Sequence, residues 1–146
     1  MSYRSKILGA NIAGLLLFSV DRWLKLLSPG HSDLNFGRKF FSFYANHGLA
    51  FGLPFSRFLM NSLFILIFTV LIWLLVRYYR EKNIFLIAAI TLIILGAASN
   101  FLDRLHYGYV VDYLDVPFFT VFNIADAMIV LGIGMLIMKI WKSNST

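Results

Sequence analysis

The sequence predicts an all-α membrane protein, with four transmembrane helices and a small extracytoplasmic β-rich loop region. Three observations carry that expectation. Of 146 residues, 60% are hydrophobic and only 14% are charged, too apolar for a soluble domain of this length. Three runs, Phe58–Val76, Ile84–Leu102 and Phe118–Met138, are free of charge apart from Asp126, and each holds at least 19 residues. At about 1.5 Å per residue that is enough to cross about 30 Å of hydrocarbon. Finally, the basic residues divide unevenly between the segments that join those runs.

The first helix is expected at residues 7–27. Ile7–Val20 follows Arg4 and Lys6 and by itself has the pattern of a secretory signal peptide. No small-x-small cleavage site follows it, and Trp23, Leu24, Leu26 and Leu27 carry the apolar pattern past Asp21 and Lys25. The segment therefore reads as a retained helix. An outer loop from Ser28 to Ser56 comes next, opening on the turn-rich stretch LSPGHSD and punctuated by Gly48, Gly52 and Pro54. Within it Phe41, Phe43 and Ala45 alternate with Ser42 and Tyr44, a strand period that places short β-strands at the membrane surface. Helices two and three are expected at 58–76 and 84–102. The stretch HYGYVVDYLDVPFF follows, and its Tyr109-Val110-Val111 is a second strand candidate. The fourth helix is expected at 118–138. No repeat, linker or low-complexity tract divides the chain, so residues 1–146 read as one domain.

With the N-terminus inside, the inner segments carry Arg4, Lys6, Arg77, Arg80, Lys82, Lys139 and Lys142 against a single acid, Glu81. The outer segments carry Arg22, Lys25, Arg38, Lys39, Arg57 and Arg104, balanced by six aspartates. The whole net charge of +6 thus falls on one side, the positive-inside pattern, which puts both termini in the cytoplasm. It also explains the positive charge without nucleic acid, for which no basic cluster is present. The sequon Asn144-Ser145-Thr146 lies on the cytoplasmic tail and is discounted.

The polar residues near the outer ends of the helices form a pattern. Asp21 and Lys25 are four apart and share a helix face. Asn100, Asp103 and Arg104 share a face at the end of the third helix, and Asn123 and Asp126 lie on the first turns of the fourth. Asp112 lies in the connection between them and Asn46 in the outer loop. Each has an ordinary explanation alone: an ion pair with a snorkelling lysine, an interfacial anchor at Asp103–Arg104, a helix cap at Asn123. Tyr and Phe near helix ends fit an aromatic belt, and Gly96-Ala97-Ala98-Ser99 fits a close helix-packing surface.

Together they point to chemistry, because they gather at one depth although a charge inside a membrane costs at least about 2.5–3.5 kcal/mol. Asp112 and Asp126, from separate elements, can approach in a partly dry site. Like charges held close cannot both ionise, so such a pair shares a proton and can serve as base toward water and acid toward a leaving amine. Cysteine is absent, which removes disulfides and thiolate chemistry, and no Ser–His pattern, HExxH, P-loop or dinucleotide fingerprint occurs. His31, His47 and His106 are dispersed without metal-ligand spacing, so no metal and no cofactor is expected. The rival reading is a small proton- or ion-coupled transporter, in which acids form a relay; such sites usually lie at the bilayer midplane on broken or repeated helices.

Five blocks in order give the chain a family resemblance: Asp21 with Lys25 (D-x-x-x-K), NHGLAFG from Asn46, NFLDR from Asn100, VVDY around Asp112 and FNIAD from Phe122. In these, and over nearly its full length, the chain resembles the lipoprotein signal peptidases, the bacterial signal peptidase II family. The resemblance implies a four-helix membrane aspartyl endopeptidase with a small extracytoplasmic sheet over its active site. It makes Asp112 and Asp126 the catalytic pair, with Asn46, Asn100, Asp103, Arg104 and Asn123 shaping the site and Asp21 and Lys25 in a structural role. The implied substrate is a prolipoprotein, cut before a diacylglyceryl-modified cysteine in the bacterial cytoplasmic membrane, with the active site near the outer face; a monomer is expected. Leu95 and Ser99 depart from the family pattern, standing where glycine is expected, and His47 and Leu49 fill variable positions.

Overall fold

The computed structural model describes residues 2–27, 41–47, 57–118 and 120–144. Four helices, α1 (Tyr3–Leu27), α2 (Arg57–Arg80), α3 (Ile84–His106) and α4 (Ile124–Asn144), are each long and apolar enough to cross a membrane. Three strands, β1 (Phe41–Asn46), β2 (Val110–Asp115) and β3 (Val121–Phe122), form one antiparallel sheet in that order. The expected loop features at Ser28 to Phe40, and Gly48, Leu49, Gly52 and Pro54, lie outside the described residues, as does His31.

The helices outrun the apolar stretches that announce them. α2 continues through Arg77–Arg80 and α3 through Asp103–His106, because backbone hydrogen bonding does not stop where hydrophobicity does. The fourth helix departs furthest from expectation, running 124–144 instead of 118–138. Val121 and Phe122 are taken by the sheet, opposite Asp115 and Leu114, and Asn123 then caps the helix. β2 is likewise longer than its candidate, and Asp112, in the connection between α3 and α4, lies within this strand. Between α2 and α3 the chain reverses sharply. Lys82 takes a left-handed conformation (φ 53°), while Lys82 and Asn83 N–H groups donate to Tyr79 and Tyr78 carbonyls, the bonding of a Schellman motif. Asn83 then caps α3 by accepting from Leu86 N–H at 3.2 Å.

α3 is the hub, packing against α1, α2 and α4. Its Ile87, Ala89 and Ile90 are fully buried, while large apolar side chains on the other helices, such as Leu16, Ile65, Val130 and Trp141, face outward. Lipid solvates such side chains as well as protein does, so helix association rests on close packing. Glycine supplies it between α3 and α4. A Cβ on Gly96 would lie 2.5 Å from the Ala125 carbonyl oxygen, and one on Gly132 would lie 2.6 Å from that of Ala89. On the other side, Leu95 fills the notch left by Gly14 of α1, where an added Cβ would meet its Cδ1 at 3.1 Å.

Gly96→Ala is therefore expected to destabilise the bundle by roughly 1–3 kcal/mol, since backbone on the facing helix has to move. Gly134→Ala, with no atom within 4 Å of the new methyl, should leave stability unchanged. Equal melting temperatures for the two variants in detergent would refute the close α3–α4 contact.

Candidate active site

The site is assembled where α3 ends, α4 begins and β2 passes between them. β2 puts Asp112 and Tyr113 on opposite faces, as strand geometry requires, and both are buried. β1 pairs Asn46 with Val110, so its side chain reaches diagonally to Asp112 on the same face. Asn46 Nδ2 donates to one oxygen of Asp112 at 3.0 Å, and Asn123 Nδ2 donates to the other at 2.6 Å.

Asn123 also begins α4. Its Oδ1 accepts from the Asp126 N–H at 2.8 Å, and Asp126 Oδ2 accepts in return from the Asn123 N–H at 3.3 Å. This is the reciprocal logic of a capping box, with aspartate in place of the usual glutamate. One residue thus holds both carboxylates, Asp112 by its amide and Asp126 by cap geometry. The remaining oxygen of Asp126 accepts from Asn100 Nδ2 at 2.7 Å.

Behind them lies a buried charge cluster joining α1 to α3. Lys25 has no exposed surface; its ammonium contacts Asp103 at 2.8 Å and Asp21 at 3.2 Å. It also donates to Asn100 Oδ1 at 2.8 Å. With that oxygen facing a cation, the amide of Asn100 is oriented and its Nδ2 points at Asp126. Asp103 pairs with Lys25 and with Arg22, and accepts from the Val111 N–H at 3.2 Å. Asp21 accepts from Ser99 Oγ at 2.5 Å, Tyr113 Oη at 2.8 Å and the Ala125 N–H at 3.1 Å.

The structure brings together Asp21, Lys25, Asn46, Asn100, Asp103, Asp112, Asn123 and Asp126. Arg104 stands at the edge, half-buried, donating to the Asn100 carbonyl at 3.3 Å and within electrostatic reach of Asp126, Asp112 and Asp103. One of the ordinary explanations gives way: Lys25 is buried and does not snorkel, and Asp103 pairs with first-helix cations. Three participants carry no sequence signal strong enough to single them out: Arg22, Ser99 and Tyr113. Ser99 lies four residues before Asp103 on the same helical face, which is the one available clue. Among the described residues, no group of three His, Asp or Glu side chains is placed to hold a metal ion.

Asp112 titrates unusually. Burial pushes its pKa up to about 6, and the nearby charge of Asp126 adds to the rise, while hydrogen bonds from Asn46 and Asn123 and the charge of Lys25 oppose it. A carboxyl that holds its proton into mildly acidic solution, beside a second carboxylate, is suited to acid–base work.

The chain matches the family model for signal peptidase (SPase) II over residues 13–142. A lipoprotein signal peptidase from Halothermothrix orenii is 43% identical over 106 residues, 70% of this chain and 70% of that protein. Another, from Streptococcus thermophilus, is 32% identical over 143 residues, 92% of this chain and 93% of its own. Two solved bacterial membrane enzymes are similar in fold. One has a TM-score of 0.73 at 25% identity, covering 94% of this chain and 90% of its own, and the other 0.67 at 26%, covering 90% and 92%.

The raised pKa of Asp112 has a stability consequence. Folding favours its protonated form, so the stabilisation is complete below the ordinary carboxyl value of about 4 and is lost as pH rises to about 6. Thermal stability should fall across that window, and the isosteric, uncharged Asp112→Asn should flatten the fall. Parallel pH profiles of melting temperature for the two proteins would contradict the assignment.

Proposed function

The chain belongs to the signal peptidase II family, membrane aspartyl peptidases that remove signal peptides from prolipoproteins, and from that premise we propose that Asp112 and Asp126 make the cut. The observation that carries this reading is the double grip of Asn123, whose amide donates to the Asp112 carboxylate and whose backbone N–H donates to that of Asp126. Of the pair, the ionised carboxyl takes a proton from a water, whose oxygen forms a bond to the scissile carbonyl carbon. The protonated partner donates to the carbonyl oxygen. Collapse of the tetrahedral intermediate breaks the C–N bond: the proton taken from water passes to the departing amine, and the former carbonyl oxygen returns its proton to the carboxylate that supplied it. Asn100, Asn46 and Asn123 hold the two carboxyls in register throughout, and Asp103 and Arg104 shape the surroundings.

The substrate is a prolipoprotein whose cysteine already carries a diacylglyceryl group. The carboxylates lie at one end of an apolar bundle, and a cleft between α2 and α3 is lined by Met60, Leu63, Phe64, Ile67, Phe101 and Arg104. A substrate made of an apolar helix and two acyl chains arrives laterally at a fixed depth, each buried CH₂ adding roughly 0.8 kcal/mol of membrane affinity. Positioning of that kind raises effective concentration by orders of magnitude. The transporter reading gains nothing from this arrangement, since the acids gather at one end of continuous helices.

In detergent, the purified monomer should cut the lipid-modified precursor and leave the unmodified one largely intact. Asp112→Asn and Asp126→Asn should each lower turnover by about a thousandfold or more, and the double variant should be no worse. Substantial turnover by either single variant would move the chemistry elsewhere; equal cleavage of both precursors would remove the lipid requirement.

The chain is a multi-pass inner-membrane protein in this reading, with both termini in the cytoplasm and the site at the outer face, as the charge asymmetry supports. Single cysteines at Ser32 and Ser143, in a chain with none of its own, should differ in intact cells: a membrane-impermeant reagent labels the first only. Equal labelling would overturn the topology.

A further inference from the structure

We propose that Tyr113 is a positioning residue for Asp126, acting through the first turn of α4. The proposal rests on the dyad reading above and extends it to a side chain that touches neither carboxylate of the pair. A helix begins with backbone N–H groups that have no partner within it. In α4 the first four are all satisfied. The Ile124 N–H donates to Tyr113 Oη at 3.2 Å, and the Ala125 N–H donates to Asp21 Oδ1 at 3.1 Å. The Asp126 N–H donates to Asn123 Oδ1 and the Ala127 N–H to the Asn123 carbonyl. Three different elements, α1, β2 and the cap residue, thus supply the partners.

Tyr113 links two of them. Its hydroxyl donates to Asp21 at 2.8 Å while accepting from Ile124. Its ring is buried, and burial with the Asp21 charge beside it pushes the phenol pKa up, so it stays a donor. Because Tyr113 follows Asp112 in β2, its bond to Ile124 fixes β2 against the start of α4. That fixes the strand bearing Asp112 against the helix turn bearing Asp126. A buried cap of this kind does more than stabilise a helix end; it sets the spacing of two groups that must share a proton.

The test measures kcat and KM on the lipid-modified precursor in detergent, with melting temperature, for four variants. Tyr113→Phe removes only the hydroxyl and should lower kcat about tenfold, the size of effect that loss of one hydrogen bond carries, with KM within about twofold. Gly132→Ala crowds the Ala89 carbonyl at 2.6 Å, more than one helical turn from Asp126 and away from the α4 cap. It should lower the melting temperature and keep kcat within about twofold. Wild-type kcat in Tyr113→Phe, or an equal kcat loss in Gly132→Ala, overturns the proposal. If Tyr113→Phe does not accumulate, Ile124→Pro deletes the other half of the same bond at the helix position most tolerant of proline. The same kcat loss is expected there, and full kcat overturns the proposal. Asp126→Asn runs alongside. Its inactivity with an unaffected Tyr113→Phe defeats this proposal alone, whereas its full activity defeats the dyad reading as well.

Discussion

A lysine with no exposed surface must find its compensation where it lies, and Lys25 governs the site for that reason. Taking an ammonium out of water costs several kcal/mol, recovered only by close anions and filled hydrogen-bond positions. Lys25 reaches two carboxylates, Asp21 of its own helix and Asp103 of α3, and the amide oxygen of Asn100. Each of those contacts is then committed. Asp21 spends its other oxygen on Tyr113 and Ala125. Asp103 turns its carboxylate to the Val111 N–H, one residue from Asp112. Asn100 can present only its NH₂ to Asp126. A charge in α1 that touches neither member of the proposed dyad in this way sets the surroundings of both.

The hydrogen bonds work only if the helices come close, and the glycines decide that. Gly96 lies one turn before Asn100, and the backbone it admits, the Ala125 carbonyl, is one residue from Asp126. The tight α3–α4 contact and the 2.7 Å bond from Asn100 to Asp126 are therefore two consequences of one approach. Leu95 and Ser99, which replace expected glycines, do not loosen it. They face α1, where Leu95 fills the notch at Gly14 and the Ser99 hydroxyl serves Asp21, Lys25 and Arg22. A position that in principle takes no side chain has acquired one that the buried charges use.

The four helices were legible because hydrocarbon thickness acts on a window of about twenty residues, an averaged signal that survives local exceptions. The acids at one depth were legible for a similar reason, since charge in lipid is costly enough to mean something. What escaped depends on pairing across long sequence distances. Asp103 adjoins Arg104 in the chain, yet its ion-pair partners are Lys25 and Arg22, about eighty positions earlier. Tyr113 resembled any interfacial tyrosine, and only the register of β2 reveals that its hydroxyl points to the start of α4. Hydropathy puts the onset of α4 six residues early, since Phe118–Phe122 is as apolar as the helix that follows and hydropathy does not distinguish a strand from a helix.

The sheet explains why the two carboxylates come from unlike elements. Irregular backbone cannot face lipid, because nothing there satisfies its polar groups, so turns and strands are confined to the ends of the helices. In the proposed dyad a helix terminus carries one acid, and a strand beyond the helix ends, β2, carries the other. The two supports would drift independently were they joined by a loose linker, but β3 ends at Phe122 and α4 starts at Ile124. Asn123 is the whole of the connection between α4 and β3, the strand paired with β2. Its backbone fixes where the helix starts and its amide fixes Asp112, so strand and helix carry their carboxylates as one rigid unit.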